Sequence, residues 1–172
     1  MALIDTLGYE VRPPNAVQRL NWKISSSRPG AWLFARTFHH VDKLLLRLTG
    51  GRLTLAGVLG GIPVITLVTT GARSGARREM PLLGVPVDSD IAVIGTRFGQ
   101  KHTPAWYFNL VANPEAEVVF RDRRAKVKAR EATGEEWDRV WERGRQVYAG
   151  YEAYARRITG RDVHIMVLEE AA

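Results

Sequence analysis

Val64-Ile65-Thr66-Leu67-Val68-Thr69-Thr70-Gly71-Ala72-Arg73-Ser74-Gly75-Ala76-Arg77-Arg78-Glu79-Met80-Pro81-Leu82-Leu83 is the stretch that decides the architecture. A β-branched run enters it and an apolar run leaves it, so it reads as strand, tight loop, strand. Gly71 and Gly75 let the loop backbone bend and come close to a ligand. Ser74 offers a hydroxyl, and Arg73, Arg77 and Arg78 offer planar donor forks suited to phosphate or carboxylate. The loop is an anion-receiving turn or, on the plainer reading, a basic solvated hairpin. It is not a P-loop, because the Gly-Lys-Ser/Thr ending is missing, and no Gly-x-Gly-x-x-Gly opens a helix.

Outward from this hairpin the pattern stays mainly β. Strands are expected over 63–70, 77–86, 91–96, 116–121 and 124–131, with Pro86 and Asp88-Ser89-Asp90 turning the chain before the third. A short helix is expected over 104–111, with Pro104 early in it and Asn113-Pro114 ending it. Thr133 and Glu136 have the spacing of a capping box for a helix running to Gly144 or Val147. A short helix from Gly150 to about Ile158 and a last strand, Val163 to Leu168, follow. Short strands with few intervening helices predict an α+β, mainly β fold: an antiparallel barrel decorated by helices, not a doubly wound parallel sheet.

The N-terminal third differs. Its first twelve residues read as irregular up to Pro13-Pro14, and helical pattern begins near Asn15. A helix over 30–48 places Phe34, Phe38, Val41, Leu45 and Leu48 on one face, and Arg36, His40, Lys43 and Arg47 on another. Such a basic amphipathic helix can lie on an anionic membrane surface or pack on its own domain. Gly50-Gly51 ends it. The expected division is a helical extension over 1–60 and a barrel domain over 61–172.

With 172 residues, 45% hydrophobic and 25% charged, the chain has the composition of one well-packed domain with an appendage. It has no cysteine, which removes disulfides, thiolate nucleophiles and cysteine-ligated metals. The net charge of +7 favours anionic partners. The first residues lack a secretion signal, and a cytoplasmic setting is the simplest expectation, with peripheral membrane contact through the 30–48 helix. Residues 53–72 carry no charge, but their glycines, threonines and Pro63 favour strand and turn over a membrane helix.

Three further clusters carry potential chemistry. Gly95-Thr96-Arg97-Phe98-Gly99-Gln100-Lys101-His102-Thr103-Pro104-Ala105-Trp106-Tyr107-Phe108-Asn109 runs from a strand end through a basic turn into a helix start. Its electropositive N–H groups suit an anion, and Trp106 and Tyr107 can wall a flat ligand or fill the core. Tyr148, Tyr151 and Tyr154 recur every three residues, as neutral hydrogen-bond donors over a pocket or as a packing stripe. Arg121 to Arg130 alternates basic and small apolar residues, as a strand with one wet face does. The four histidines form no metal-binding group with carboxylates, and no Gly-x-Ser-x-Gly elbow occurs, so no metal site is expected. Difficult chemistry would come from a bound cofactor.

The Thr-Thr-Gly-Ala-Arg-Ser-Gly loop, the Thr103-Pro104-Ala105-Trp106-Tyr107-Phe108-Asn109-Leu110…Ala112-Asn113-Pro114 segment and the Tyr148/Tyr151/Tyr154 set occur in one order. In this the chain resembles the deazaflavin-dependent nitroreductase family of actinobacteria, from about Ile62 to Glu169. The resemblance implies a split β-barrel holding coenzyme F420, in preference to flavin mononucleotide. F420 is flat at one end and polyanionic at the other. It places Ala72, Arg73, Ser74 and Arg78 at the phosphate and tail, with the strand residues Met80, Pro81, Leu82 and Leu83 following. Ile94, Gly95, Thr96 and Arg97 fall at the ring-side turn, and Ala105, Trp106, Tyr107 and Asn109 at the helix start. Tyr151 falls nearest the ring as the central member of a catalytic set, with Tyr148 and Tyr154 bordering the substrate. Ala72 and Phe98 depart from the family pattern, standing where a basic residue and a glycine are usual.

The implied activity is hydride transfer from reduced deazaflavin to a small electron-poor acceptor, a quinone or a nitro compound, by a monomer or homodimer. The alternative is a barrel that holds a deazaflavin, flavin or lipid without turnover. Charge alone suggests nucleic acid, but no recognition motif supports it, and none is expected as a partner.

Overall fold

The computed structural model describes residues 2–11 and 63–171. The helices expected from Asn15 and over 30–48, the Gly50-Gly51 stop and most of the proposed extension lie outside the described residues. The strands are β1 (Val64–Thr70), β2 (Arg77–Leu83), β3 (Val85–Val87), β4 (Asp90–Ile94), β5 (Glu115–Phe120), β6 (Arg123–Glu131) and β7 (Ile165–Glu170). They form one antiparallel sheet in the order β2-β1-β5-β6-β7-β4-β3. The borders β2 and β3 are separated in sequence by Gly84 alone. A sheet whose opposite borders are joined by one residue has to roll until they meet. The result is a curled barrel split between β2 and β3.

Tyr9 closes that split. Its hydroxyl donates to the carbonyls of Gly84 (2.7 Å) and Pro63 (3.0 Å), and its ring meets Phe120 edge-on at 4.8 Å. A Cβ on Gly84 would fall 2.5 Å from the Tyr9 oxygen, so only glycine fits there. This junction breaks the single strand expected over 77–86 into β2 and β3. The N-terminal residues, expected to be irregular, instead form α1 (Leu3–Leu7), ended by Gly8 in the left-handed conformation with φ 58°. Leu3 and Leu7 lie four apart on one helix face and are buried in the barrel core.

The strands explain their own hydrophobic patterns. β6 alternates, with Ala125, Val127 and Ala129 buried and Lys126 and Lys128 exposed, as a strand wet on one side must. β4 and β7 instead read as continuous apolar runs because both of their faces are covered. Ile91, Val93, Met166 and Leu168 join the barrel core, while Ala92, Ile94, Ile165 and Val167 join a second core. That second core is roofed by α3 (Gly134–Val147) and α4 (Gly150–Ala155), while α2 (Ala105–Ala112) sends Trp106 and Leu110 into the barrel core. On α3, Val140, Gly144 and Val147 face inward. Gly144 lets the helix press onto β4, since a Cβ there would lie 2.5 Å from Ile94 Cδ1.

The capping box expected at Thr133 does not form. Thr133 occupies the N-cap without a side-chain bond. Glu136 is drawn away by a two-point pairing with Arg130, at 2.5 and 2.7 Å, which outcompetes a single backbone N–H. The final strand runs two residues later than expected, Ile165–Glu170, because Val127 of β6 pairs with Glu170.

Candidate functional site

The β1–β2 hairpin presents the arginine loop. Gly71 and Gly75 form its turn, with Gly71 N–H donating to Ala76 O and Gly75 N–H to Gly71 O, both at 2.8 Å. Gly75 sits at φ +63°, and a Cβ on Gly71 would press on Ser74 Oγ at 2.9 Å. The three arginines differ in fate. Arg77 is neutralised by Glu79 and Glu117, each at 3.2 Å. Arg73 and Arg78 have no carboxylate partner among the described residues; Arg78 reaches Ser74 Oγ at 3.4 Å. Adjacent strand residues point to opposite faces, so one face of the hairpin is electrically balanced and the other keeps its charge.

Asn109 ties this loop to α2. Its Oδ1 accepts from Ala72 N–H at 3.0 Å, and its Nδ2 donates to Thr69 Oγ1 at 3.0 Å. Two residues earlier, Tyr107 stacks on the His164 ring at 4.0 Å and donates to Glu131, which also pairs with His164 Nδ1 at 2.6 Å. Burial, then the Glu131 hydrogen bond, raise the Tyr107 phenol above its ordinary pKa. Trp106, which the sequence allowed either as a cofactor wall or as core, is 4% exposed within the barrel core.

Behind α2 lies the turn from Gly95 to Gln100. Gly95 N–H donates to His164 O at 2.8 Å. Arg97, Phe98 and Gly99 then take φ values of 45°, 56° and 79° in succession. For the two non-glycine residues a left-handed backbone costs about 1–2 kcal/mol each. Phe98 accepts it while packing edge-on against Tyr154 at 5.7 Å. The turn is held from below by Arg161, which lies between α4 and β7 and bonds the carbonyls of Gly95, Thr96 and Gln100. Burial, then the neighbouring Arg97, lower the Arg161 pKa from its ordinary value, though a guanidinium stays charged at neutral pH.

Tyr148, Tyr151 and Tyr154 do come together, at the junction of α3 and α4, and all three are buried in the second core. The hydroxyls of Tyr148 and Tyr154 are 3.0 Å apart. Burial raises the Tyr151 and Tyr154 phenols well above their ordinary pKa, with the neighbouring tyrosines adding to it, so both are neutral donors across the physiological range. Two hydroxyls stand out. Tyr151 (5% exposed) and Thr96 (4% exposed) have no side-chain hydrogen-bond partner among the described residues. An unmet buried hydroxyl is unfavourable by about 1–3 kcal/mol, unless a ligand completes it.

The residues singled out in sequence thus join in one chain of contacts. The arginine loop meets Asn109, α2 meets His164 through Tyr107, His164 meets Gly95, and the following turn meets Tyr154. Of the remaining expected residues, Met80 and Leu82 pack against the barrel core and Leu83 and Ile94 belong to the second core. Pro81 pairs with Thr66 in the β1–β2 ladder, and Ala105 is exposed at the start of α2. Arg161, Glu131 and His164 were not singled out. Their partners across the site are 24 to 66 residues away in sequence, and no local spacing marks them. The basic Arg121–Arg130 segment has ordinary surface character: Arg124 pairs with Glu117, and Arg130 with Glu136 and Glu169.

A split antiparallel barrel that leaves guanidinium groups without carboxylate partners and buried hydroxyls unmet, among the described residues, has the donor groups to hold an anionic redox cofactor. The chain belongs to the F420H(2)-dependent quinone reductase family, whose model matches residues 39–170. The resemblance, the fold and coenzyme F420 as cofactor are thereby borne out. Among relatives, the F420H(2)-dependent quinone reductase Rv1261c of Mycobacterium tuberculosis is 30% identical over 139 residues, covering 75% of this chain and 92% of its own. A solved F420-H2 dependent reductase (FDR-A) matches with TM-score 0.57 and 33% identity, covering 62% of this chain and 94% of that one. A second solved structure, described as a domain-swapped dimer, matches with TM-score 0.60 and 29% identity, over 82% of this chain and 99% of that one.

Proposed function

We propose that this chain uses reduced coenzyme F420 to reduce a quinone, with Arg73, Ser74 and Arg78 holding the anionic phosphate and tail and the Gly95–Gln100 turn beside the ring. The observation that carries this assignment is the uneven fate of the charges. Arg73, Arg78 and Arg97 have no carboxylate partner among the described residues, whereas Arg77, on the other face of the same hairpin, has two. The donor set fits the cofactor: guanidinium forks for its polyanionic end and the buried hydroxyls of Thr96 and Tyr151 for its polar ring edges. When bound, coenzyme F420 supplies a hydride. The chain's own part is to orient, to exclude water and to offer neutral phenols. Tyr151 steadies charge on an oxygen without giving up its proton, with Tyr148 and Tyr154 fixing it from the side. An activated nitro compound is an acceptor of the same electron-poor class.

Fluorescence titration of the purified protein with oxidised coenzyme F420, beside flavin mononucleotide, tests this reading, and saturable uptake of the deazaflavin is expected. Tyr151→Phe removes an unmet buried hydroxyl, so it should stabilise the free protein by about 1 kcal/mol while slowing quinone turnover about tenfold. A variant that is less stable yet equally active would remove Tyr151 from the site.

A quinone dissolved in lipid calls for a way to the membrane. We propose that the basic amphipathic stretch over 30–48 supplies it; no helix among the described residues is long and apolar enough to cross a bilayer. The protein should float with liposomes containing anionic lipid, and full recovery in the soluble fraction would end this part of the reading.

A further inference from the structure

Arg161 has no role in the function just proposed, yet all three nitrogens of its guanidinium are engaged. Nη1 donates to Gly95 O at 3.0 Å and Asp162 O at 2.9 Å, Nη2 to Thr96 O at 3.0 Å, and Nε to Gln100 O at 3.2 Å. Among the described residues it has no carboxylate partner. Arg130, by contrast, is paired with Glu136 and Glu169. The Arg161 side chain gathers carbonyls from both ends of a single turn. Between those ends lie Arg97, Phe98 and Gly99 in the left-handed conformation. Left-handed residues that are not glycine persist only where their surroundings over-determine them. On its other side the turn rests against α4, where a Cβ on Gly99 would come within 3.0 Å of Tyr154 O and Arg157 Cβ.

We propose that Arg161 is a positioning residue of the cofactor site. Its guanidinium sets the backbone from Gly95 to Gln100, and through it the Thr96 hydroxyl and the Arg97 guanidinium that face the ligand, without touching the ligand itself. The planar fork is what allows this. An ammonium keeps the charge, but its donors radiate from one atom and do not span both ends of the turn. The role rests on coenzyme F420 binding at this turn, and the tests separate the two claims.

Arg161→Met and Arg161→Lys are compared with the wild type by three readouts: far-UV circular dichroism with melting, fluorescence titration with oxidised coenzyme F420, and limited trypsinolysis mapped by mass. Both variants should keep the wild-type fold by circular dichroism. Both should bind coenzyme F420 about tenfold more weakly or worse, the loss of one well-placed contact. Trypsin should cut faster after Arg97 and Lys101, both exposed, with saturating coenzyme F420 restoring protection. Wild-type affinity in Arg161→Lys would show that only the charge matters and overturn the proposal. Lowered melting with unchanged affinity and unchanged cleavage at the turn would leave a purely structural residue, and would overturn it too. If the wild type takes up no coenzyme F420, the functional reading fails, while the trypsin comparison still decides whether Arg161 holds the turn.

Discussion

Replacing Arg78 with alanine is expected to raise the dissociation constant for oxidised coenzyme F420 by about tenfold to a hundredfold, the range for a lost charge-assisted hydrogen bond. The side chain is exposed, and Ser74 Oγ at 3.4 Å is its hydrogen-bond partner, so the melting temperature should hardly change. Arg77→Ala is the internal control. It removes a guanidinium of the same charge from the next position, but one already committed to Glu79 and Glu117. Cofactor affinity should therefore be nearly indifferent to it. Wild-type affinity should weaken as salt rises, because exposed charges are screened over about 10 Å at 0.1 M. Equal losses from Arg77→Ala and Arg78→Ala would mean that net charge, and not a particular face of the hairpin, draws the ligand.

Tyr9→Ala is expected to destabilise the fold by about 3–5 kcal/mol, as for other large aromatic truncations in a core. It removes the ring packed on Phe120 and the hydroxyl bonded to Gly84 and Pro63 together. Tyr9→Phe separates the two contributions. It keeps the ring and strands two buried carbonyls, which should lower stability by about 1–2 kcal/mol. Urea or thermal denaturation of the two variants measures the difference. If Tyr9→Phe were as damaging as Tyr9→Ala, the ring would contribute nothing and the seam would depend on the hydroxyl alone.

Much of this molecule was legible because its strands obey local rules. The β-branched run before Thr70 and the alternation from Arg123 to Glu131 announce their strands directly. The hairpin loop shows in its glycines, and the helix start at Ala105 in the proline before it. The misreadings share one origin, which is partners that lie outside the element being read. Thr133 and Glu136 have the spacing of a cap, but Arg130 on the adjacent strand takes the carboxylate. Leu3 and Leu7 are too few to announce a helix, and they form one because the barrel offers a place for them. Nothing near residue 84 shows that the chain must stop one strand there and start another. That follows from Tyr9, which lies 75 residues away.

The site was legible as separate clusters and illegible as a single place. Three tyrosines at spacing three are visible in sequence, but whether they cover a pocket or pack depends on Val85, Ile94 and Val167, which close around them. Phe98 stands where the resemblance leads us to expect a glycine, and its backbone has a φ of 56°, which glycine would adopt freely. Arg161 carried no local signal because its acceptors are backbone carbonyls, which every residue has.

The strand that bears the arginines is also a border of the sheet, and its outward amides have no neighbour among the described strands. An unpaired rim of this kind is where one molecule can annex another. Here Arg78, which has no carboxylate partner among the described residues, stands along it, and Pro81 withholds an amide, so the charge that would recruit an anion also repels a second copy of the rim. Ligand capture and resistance to fibril-like growth are thus served by one short run of side chains, and a chain stripped of them would surrender both.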